Sequence, residues 1–307
     1  MKKYSNQIIF ILTFIILILV LLNKNLVSET ILSSLYIWYN TLIPSMFPMI
    51  LLSDILITYN SCNIVPKIIT KTLSKIFNIS NNAVIIFILS LISGFPTNAI
   101  SINKAINTKI ITKEEGSHLL LFCNFANPLF ILETVGTFYL KNTTYAIIIL
   151  ISHILSNIII GIIFRKNNHP KDNYIIESSK SQSFGDVLSS ATYKSIKSLL
   201  LIAGTVTLFL ILTTLITHIF NLNNYLTLII KSILEMTMAL SYLSNLNIND
   251  TLKVVLSSSI ISFSGLSIHL QVISSLDNIK YKNYLLGRII SSILSGIIAS
   301  ILIKIII

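Results

Sequence analysis

The sequence predicts an all-α, polytopic membrane protein, and three observations support this fold class. Of the 307 residues, 53% are hydrophobic and only 11% are charged. Apolar runs of about 20 residues, the length that a helix needs to cross a bilayer, recur along the whole chain. The longest polar segment, residues 165–186, has only the size of a loop. We therefore predict a single integral membrane domain over residues 1–307.

The charge balance is strongly basic, with 22 Lys and Arg against 11 Asp and Glu and a net charge of +11. The basic residues lie at the ends of apolar runs, where they orient a membrane protein, so we expect a lipid bilayer and not nucleic acid as the partner. The two cysteines, Cys62 and Cys123, indicate neither a disulfide framework nor a metal site, and no cofactor is expected. No nucleophile elbow, phosphate loop or zinc-protease motif is present, so we do not expect an enzyme.

The chain begins with a predicted N-terminal span and a predicted re-entrant hairpin. Residues 7–28 contain the first apolar run, and no small-residue cleavage site follows it, so the span is expected to be retained. Residues 29–59 are interrupted by Pro44 and Pro48 and are too few for two crossings. A helix, a proline-marked tip and a returning helix fit that length best, and such a hairpin must be buried in protein.

A surface helix and three spans complete the predicted first repeat, residues 29–164. Residues 64–77 carry Lys67, Lys71 and Lys75 at four-residue spacing opposite isoleucine, leucine and phenylalanine, which is the pattern of a helix lying on a membrane. The three spans are predicted at residues 83–102, 117–139 and 144–164.

The second half of the chain follows the same plan after a cytoplasmic loop at residues 165–186. A second hairpin is predicted at residues 187–217, with Gly204 near its middle, and the three spans that follow it are predicted at 225–242, 251–275 and 284–306. Residues 187–307 therefore form a second repeat of one re-entrant hairpin and three spans with broken helices. An odd number of crossings inverts the second repeat relative to the first, as in secondary transporters with a binding site at the midplane.

The distribution of lysine and arginine sets the predicted orientation. With both hairpins re-entrant and the N-terminus inside, the cytoplasmic segments are 1–3, 103–116, 165–197 and 276–288, which hold most of the basic loop residues. The three lysines of the surface helix are then on the outer side, where an interfacial position would tolerate them.

Three interruptions of the apolar runs are the predicted binding elements. Glycine and proline break a helix, and lipid cannot satisfy the freed backbone groups, so each break must face protein or a cavity. The N-termini of the half-helices favour anions, so a carboxylate can be held without a buried arginine. Alternatively, these residues only allow close helix packing. The predicted binding residues at the breaks are Ser93, Gly94, Pro96, Thr97, Asn98, Asn124, Asn127, Pro128, Ser264, Gly265 and Ser267.

Ionisable and polar residues inside the apolar runs complete the predicted site. Glu235 lies within a span, where a charged group is costly and indicates function, and Lys231 lies one helical turn away as a candidate partner. Alternatively, this pair reaches the membrane interface. Glu133 has the same two interpretations. His269 and Gln271 follow the third break, and a hydrogen-bonded structural role is the alternative for the histidine.

Four segments carry a family resemblance. They are Ser-Gly-Phe-Pro at 93–96, Asn-Phe-Ala-Asn-Pro-Leu-Phe at 124–130, Glu-Met-Thr at 235–237 and Ser-Phe-Ser-Gly-Leu-Ser-Ile-His-Leu-Gln at 262–271. They resemble the sporulation integral membrane protein YlbJ family, also called stage V sporulation protein SpoVV, which is related to nucleoside-transporter-like membrane domains. The resemblance implies an endospore-forming bacterium and the movement of dipicolinic acid from the mother cell across the outer forespore membrane.

The resulting hypothesis is a membrane transporter of a small carboxylate, most readily dipicolinate, that works by alternating access with the hairpins as gates. Two alternatives stay open: a transporter of a nucleoside-like solute with the same fold, and a sporulation membrane assembly protein that does not transport. The sequence leaves the coupling ion and the oligomeric state open.

Overall fold

The computed structural model describes residues 2–59, 65–166, 183–277, 279 and 281–306. Every regular element among these residues is helical, which confirms the predicted all-α class. Cys62 and most of the predicted cytoplasmic loop at 165–186 lie outside the described residues. Cys123 is buried with a free thiol.

The described helices are, in chain order, α1 (Lys2–Leu22), α2 (Lys24–Ile37), the π-helix π1 (Trp38–Leu42), α3 (Ile43–Thr58), α4 (Lys67–Phe77), α5 (Asn81–Ser93), α6 (Thr97–Asn107), α7 (Lys113–Phe122), the π-helix π2 (Phe130–Tyr139), α8 (Thr143–Ile163), α9 (Phe184–Ile219), α10 (Asn224–Leu234), α11 (Met236–Asn245), α12 (Asp250–Phe263), α13 (Gly265–Ser274) and α14 (Lys282–Ile306). Within the described residues, five stretches are long and apolar enough to cross a membrane: Lys24–Leu56, Thr143–Ile163, Phe184–Ile219, Asp250–Ser274 and Lys282–Ile306. The chain is therefore a multi-pass membrane protein.

The hairpin predicted at residues 29–59 is wrong, because α2, π1 and α3 follow one another without a break in the helix. The wider π-helical turn absorbs the proline region, since the amide of Ile43 bonds to the carbonyl of Trp38 five residues earlier. Pro44 directly follows the π-helical turn as the second residue of α3, and Pro48 lies inside α3. We call this continuous stretch the first long helix.

The hairpin predicted at residues 187–217 is also wrong, because α9 is a single helix of 36 residues. Gly204 lies in its exposed middle, where an added Cβ would meet no atom within 4 Å, so this glycine neither bends the chain nor packs closely. The two long helices run antiparallel, since Trp38 Nε1 donates to the Leu199 carbonyl at 2.9 Å while Lys194 Nζ lies 3.0 Å from Asp54 Oδ2.

Two helical hairpins occur instead where spans were predicted, at residues 83–102 and 225–242. In the first hairpin, α5 and α6, Asn82 Nδ2 donates to the Ile110 carbonyl at 3.4 Å, so the two ends meet. In the second hairpin, α10 and α11, Tyr242 donates its hydroxyl hydrogen to Asn224 Oδ1 at 2.9 Å. In a straight helix these two residues would be about 27 Å apart. The chain therefore reverses at each tip, residues 94–96 in the first hairpin and Glu235 in the second.

The other predicted interruptions also occur. In the first broken helix, α7 ends at Phe122, residues 123–127 form no regular secondary structure, and the chain continues into π2. In the second broken helix, Ser264 adopts a left-handed conformation with φ 78° between α12 and α13. The spans predicted at 144–164 and 284–306 are confirmed as the unbroken helices α8 and α14.

The two hairpins enter the fold from opposite ends. At the open end of the first hairpin, Asn103 and Asn107 donate to Asp277, which lies after the second broken helix. At the open end of the second hairpin, Lys253 near the start of that broken helix donates to the Ser244 carbonyl at 2.8 Å. Because the start and the end of one membrane-spanning helix lie on opposite sides, the hairpin tips point toward each other.

The predicted surface helix is present as α4. Its three lysines are exposed, and so are Ile68 and Ile76, as expected of a helix lying on a lipid surface. Asn78, which ends α4 in a left-handed conformation, donates to the Lys166 carbonyl after α8. The helix therefore lies at the same end of the molecule as the loop that follows α8.

Candidate functional site

The first hairpin tip is fastened to the first broken helix. Gly94 has φ 73° and ψ 171°, a conformation that is essentially restricted to glycine, and a Cβ at this position would lie 2.6 Å from the Asn127 amide nitrogen. The Phe95 amide donates to the Phe125 carbonyl at 2.9 Å. Asn98 Nδ2 donates to the carbonyls of Cys123 and Phe125 at 3.1 and 3.3 Å. The side-chain amide of Asn98 thus provides a hydrogen-bond donor for two backbone carbonyls of the break.

A buried histidine forms a hydrogen bond with the same segment, residues 123–127. His153 Nε2 accepts a hydrogen bond from the Ala126 amide at 2.9 Å, and its Nδ1 lies 2.7 Å from Ser262 Oγ. Since Ser262 belongs to the last turn of α12, this histidine links the first break to the second broken helix. His153 was not among the predicted site residues, because a lone histidine in an apolar span gives no pattern that marks it.

The structure corrects the prediction that residues 276–288 are all cytoplasmic, because the last of them is a buried arginine. Arg288 is 0% exposed, and Nη1 donates to the carbonyls of Asn124 and Ser262 at 3.0 and 3.2 Å. Its Nη2 donates to Asn157 Oδ1 at 2.6 Å. A charged donor is needed here because both helix breaks leave carbonyls without intrahelical partners. The sequence did contain one indication of this role, because Arg288 lies inside the span predicted at 284–306.

The second hairpin tip is the single extended residue Glu235, which is 0% exposed. Its Oε2 caps α11, accepting hydrogen bonds from the Met238 amide at 2.9 Å and from the Thr237 hydroxyl. The expected ion pair with Lys231 is not formed, since Lys231 Nζ lies over the Tyr242 ring, 5.2 Å from its centroid. Glu235 is therefore fully buried in protein, as a carboxyl group that caps a helix.

The second tip packs directly on the second break. A Cβ added to Gly265, which has φ 68°, would lie 3.1 Å from the Met236 amide nitrogen and 3.4 Å from the Glu235 Cα. Glycine is required at position 265, because its φ is positive and a side chain here would collide with backbone atoms of the second tip. Each hairpin tip thus contacts the break of the broken helix that follows it in the chain.

Both tips and the first break line one enclosed cavity of about 30 Å³. This volume corresponds to about two water molecules. Of the predicted binding residues, Asn127, Glu235 and Gln271 line it. The remaining lining residues were not predicted and are mostly apolar: Leu42, Met46, Phe95, Phe130, Ile202, Val206, Met236, Thr237 and Ile268.

The other predicted residues surround this cavity without lining it. His269 is bonded on both nitrogens, to the Tyr281 hydroxyl and to the Phe263 carbonyl, which is a structural role. Asn124 Nδ2 donates to the Tyr284 hydroxyl at 3.3 Å. Gln271, which does line the cavity, donates from Nε2 to Thr205 Oγ1 at 2.6 Å and so ties α13 to α9. The remaining predicted positions form the tips and breaks themselves: Ser93, Gly94, Pro96, Thr97, Asn98, Pro128, Ser264, Gly265 and Ser267.

An open crevice of about 370 Å³ adjoins the cavity between the first long helix and π2. Glu133 is exposed in this crevice and so does not reach the cavity. Leu42, Met46 and Phe130 belong to the cavity lining, while their neighbours Thr41, Ser45 and Leu129 line the crevice, so the three apolar side chains separate the two spaces. π-Helical segments, which occur frequently at functional sites, supply residues on both walls.

The fold and the cavity together define a polytopic membrane protein with paired hairpins and broken helices. The chain is 21% identical over 311 residues to the sporulation integral membrane protein YlbJ of Bacillus subtilis (strain 168), which covers 89% of this chain and 76% of that protein. This match confirms the resemblance to the YlbJ family that the sequence motifs predicted. No protein-family model and no solved structure matches the chain.

Proposed function

We propose that this protein transports a small carboxylate, with dipicolinate as the solute, across the outer forespore membrane during sporulation. The observation that carries the proposal is the meeting of both hairpin tips at one buried cavity between broken helices. Hairpins and discontinuous helices that enclose a midplane site are the architecture of secondary transporters. The name of the Bacillus relative, a sporulation integral membrane protein, supports the setting.

The proposal includes two inverted repeats, whose elements follow a different order from the one that the sequence predicted. Each repeat consists of a long helix, a re-entrant hairpin, a broken helix and an unbroken helix, over 24–163 and 184–306. With the N-terminus in the cytoplasm, the first long helix ends inside. Lys67, Lys71 and Lys75 are then cytoplasmic, which removes the conflict with the positive-inside rule that the predicted order left.

Three features of the site suit a planar aromatic carboxylate. Phe95, Phe130 and Met46 give the cavity apolar walls on which a ring can stack. α13 begins at the second break without a side-chain cap, so its N-terminus favours an anion. The adjoining crevice supplies a path to the cavity once Leu42, Met46 and Phe130 move apart.

One observation favours a second candidate, a neutral nucleoside-like solute. The cavity lining contains one carboxyl group, two side-chain amides and one hydroxyl, and no Lys, Arg or His belongs to it. Such a set of groups recognises a ring that carries hydrogen-bond donors as well as acceptors. Competition between the two kinds of solute separates the candidates.

The test measures uptake of labelled dipicolinate by liposomes that contain the purified protein. We expect Gly94→Leu to lower the initial rate about tenfold or more, because the side chain would drive the first tip away from Asn127. The matched control is Gly204→Leu on the exposed face of α9, which should retain the rate. Excess nucleoside should leave dipicolinate uptake unchanged, whereas nucleoside uptake alone would establish the second candidate. Absence of both activities would contradict transport and favour an assembly role.

A further inference from the structure

Two residues that line the cavity, from different halves of the chain, each carry a buried polar atom without a hydrogen-bond partner among the described residues. Glu235 Oε1 and Asn127 Nδ2 are buried, and neither has a hydrogen-bond partner among the described residues. The Asn127 amide is oriented, because its Oδ1 accepts from the Leu129 amide at 2.9 Å. The other Glu235 oxygen already caps α11. The residues of the cavity lining therefore carry one free donor, on Asn127, and one free acceptor, on Glu235.

A buried polar atom without a partner costs about 1–3 kcal/mol, so these two atoms indicate a ligand that satisfies both. A protonated carboxyl group does so, since its carbonyl oxygen accepts from Asn127 Nδ2 and its hydroxyl donates to Glu235 Oε1. A carboxylate ion cannot donate, and two ionised carboxylates in one buried site repel each other unless they share a proton.

We infer that a carboxyl group of the solute binds between Asn127 and Glu235 with one proton shared between it and Glu235, so that a proton crosses the membrane with each solute. This inference rests on the proposed function and names its coupling ion. It also resolves the charge conflict, because an anionic solute otherwise enters a cavity whose one ionisable lining group is acidic.

No basic side chain near Glu235 forms an ion pair with it in the described residues, so we expect a proton to neutralise its carboxylate. On α10, Lys231 lies over the Tyr242 ring, and at the end of π2 the hydroxyl of Tyr139 is buried without a partner in the described residues. The ionisable groups on the remaining elements are engaged elsewhere: His269 of α13 with Tyr281, Lys253 of α12 with Ser244, and Arg288 of α14 with Asn124. α9 contributes only Ile202 and Val206 to the lining.

The test follows dipicolinate uptake and lumenal pH together, in liposomes that contain the full chain and a trapped pH dye. With the unaltered chain, lowering the external pH by about one unit, a tenfold rise in proton concentration, should increase the uptake rate several-fold. Uptake should also acidify the lumen. Glu235→Gln cannot share a proton with the solute. Its uptake rate should be lower than that of the unaltered chain and the same at both pH values, and the lumen should not become acidic. Glu114→Gln, on the exposed first turn of α7, is the control that should keep both responses.

The outcomes distinguish the inference from the function on which it rests. Uptake by the unaltered chain without lumenal acidification overturns the inference alone, as does a Glu235→Gln variant that keeps its pH response. Lack of dipicolinate uptake by the unaltered chain overturns the inference together with the proposed function. The lumenal measurement on the unaltered chain tests the inference even where Glu235→Gln does not insert.

Discussion

The two junctions between a hairpin tip and a broken helix are held in different ways. At the first junction, hydrogen bonds from Phe95 and Asn98 fasten the tip to the carbonyls of the break. At the second junction, Glu235 and Met236 pack against Gly265, and no hydrogen bond joins this tip to its break within the described residues. The second tip is therefore the one that can separate without leaving hydrogen-bonding groups unpaired.

The difference follows from the length of each break. The first break extends over residues 123–127 and exposes several backbone groups, which the side chains of Asn98, His153 and Arg288 satisfy. The second break interrupts the helix at one residue, Ser264, which with Gly265 has positive φ, and so short a break needs few partners. A long break needs hydrogen bonds from neighbouring elements, whereas a one-residue break leaves the neighbouring hairpin free to move. We therefore expect the second hairpin to act as the gate.

The largest effect is expected from Arg288→Met, which removes the donors shared by both breaks. The carbonyls of Asn124 and Ser262 and the amide oxygen of Asn157 would stay buried without this partner. We expect a loss of about 3–5 kcal/mol in the free energy of unfolding, measured by denaturation in detergent.

Arg165→Met is the control for Arg288→Met, because Arg165 is exposed after α8. It should change the free energy of unfolding by less than about 0.5 kcal/mol. Equal effects of the two substitutions would show that Arg288 does not hold the breaks together.

An intermediate effect is expected from alanine at the two tip-contact glycines, and the two should differ. Gly94→Ala places its Cβ 2.6 Å from the Asn127 amide nitrogen in a conformation that only glycine adopts readily, and should cost about 2–4 kcal/mol. Gly265→Ala meets Met236 at 3.1 Å, and the second tip can shift, so about 1–2 kcal/mol is expected. Thermal unfolding in detergent measures both. A larger cost for Gly265→Ala would reverse the assignment of the movable tip.

The smallest effect concerns Asp277, which ties the open end of the first hairpin to the loop before α14. Hydrogen bonds from Asn103 and Asn107 hold the pKa of the Asp277 carboxyl below its ordinary value of 3.8. A lowered pKa in the folded state stabilises the fold above the ordinary pKa, and this contribution is lost as the pH falls through the folded-state value. Asp277→Ala should slightly lower the melting temperature at neutral pH, and the difference should shrink below about pH 3.8. A difference that does not depend on pH would exclude the ionised carboxyl as the tie.

The sequence located the helix breaks but assigned the hairpins to the wrong segments. Gly94, Asn127 and Ser264 lie at interruptions because local backbone chemistry marks them. Pro44, Pro48 and Gly204 suggested turns that do not form, since a π-helical turn accommodates the prolines and a glycine on an exposed face bends nothing. Whether an interrupted helix continues or folds back depends on what its second half packs against, and this information is not local.

The amino-acid sequence by itself determined the all-α membrane class, the positions of the breaks and the place of Glu235 inside an apolar run, because hydropathy and backbone-breaking residues act over one or two helical turns. Only the tertiary structure decided that Arg288 and His153 support both breaks, that Glu235 and Asn127 share a cavity, and that the hairpins are residues 81–107 and 224–245. Several of these contacts join residues more than 100 positions apart, such as Arg288 with Asn124 and His153 with Ser262, and the partners are chosen by packing and by the need to satisfy buried polar groups.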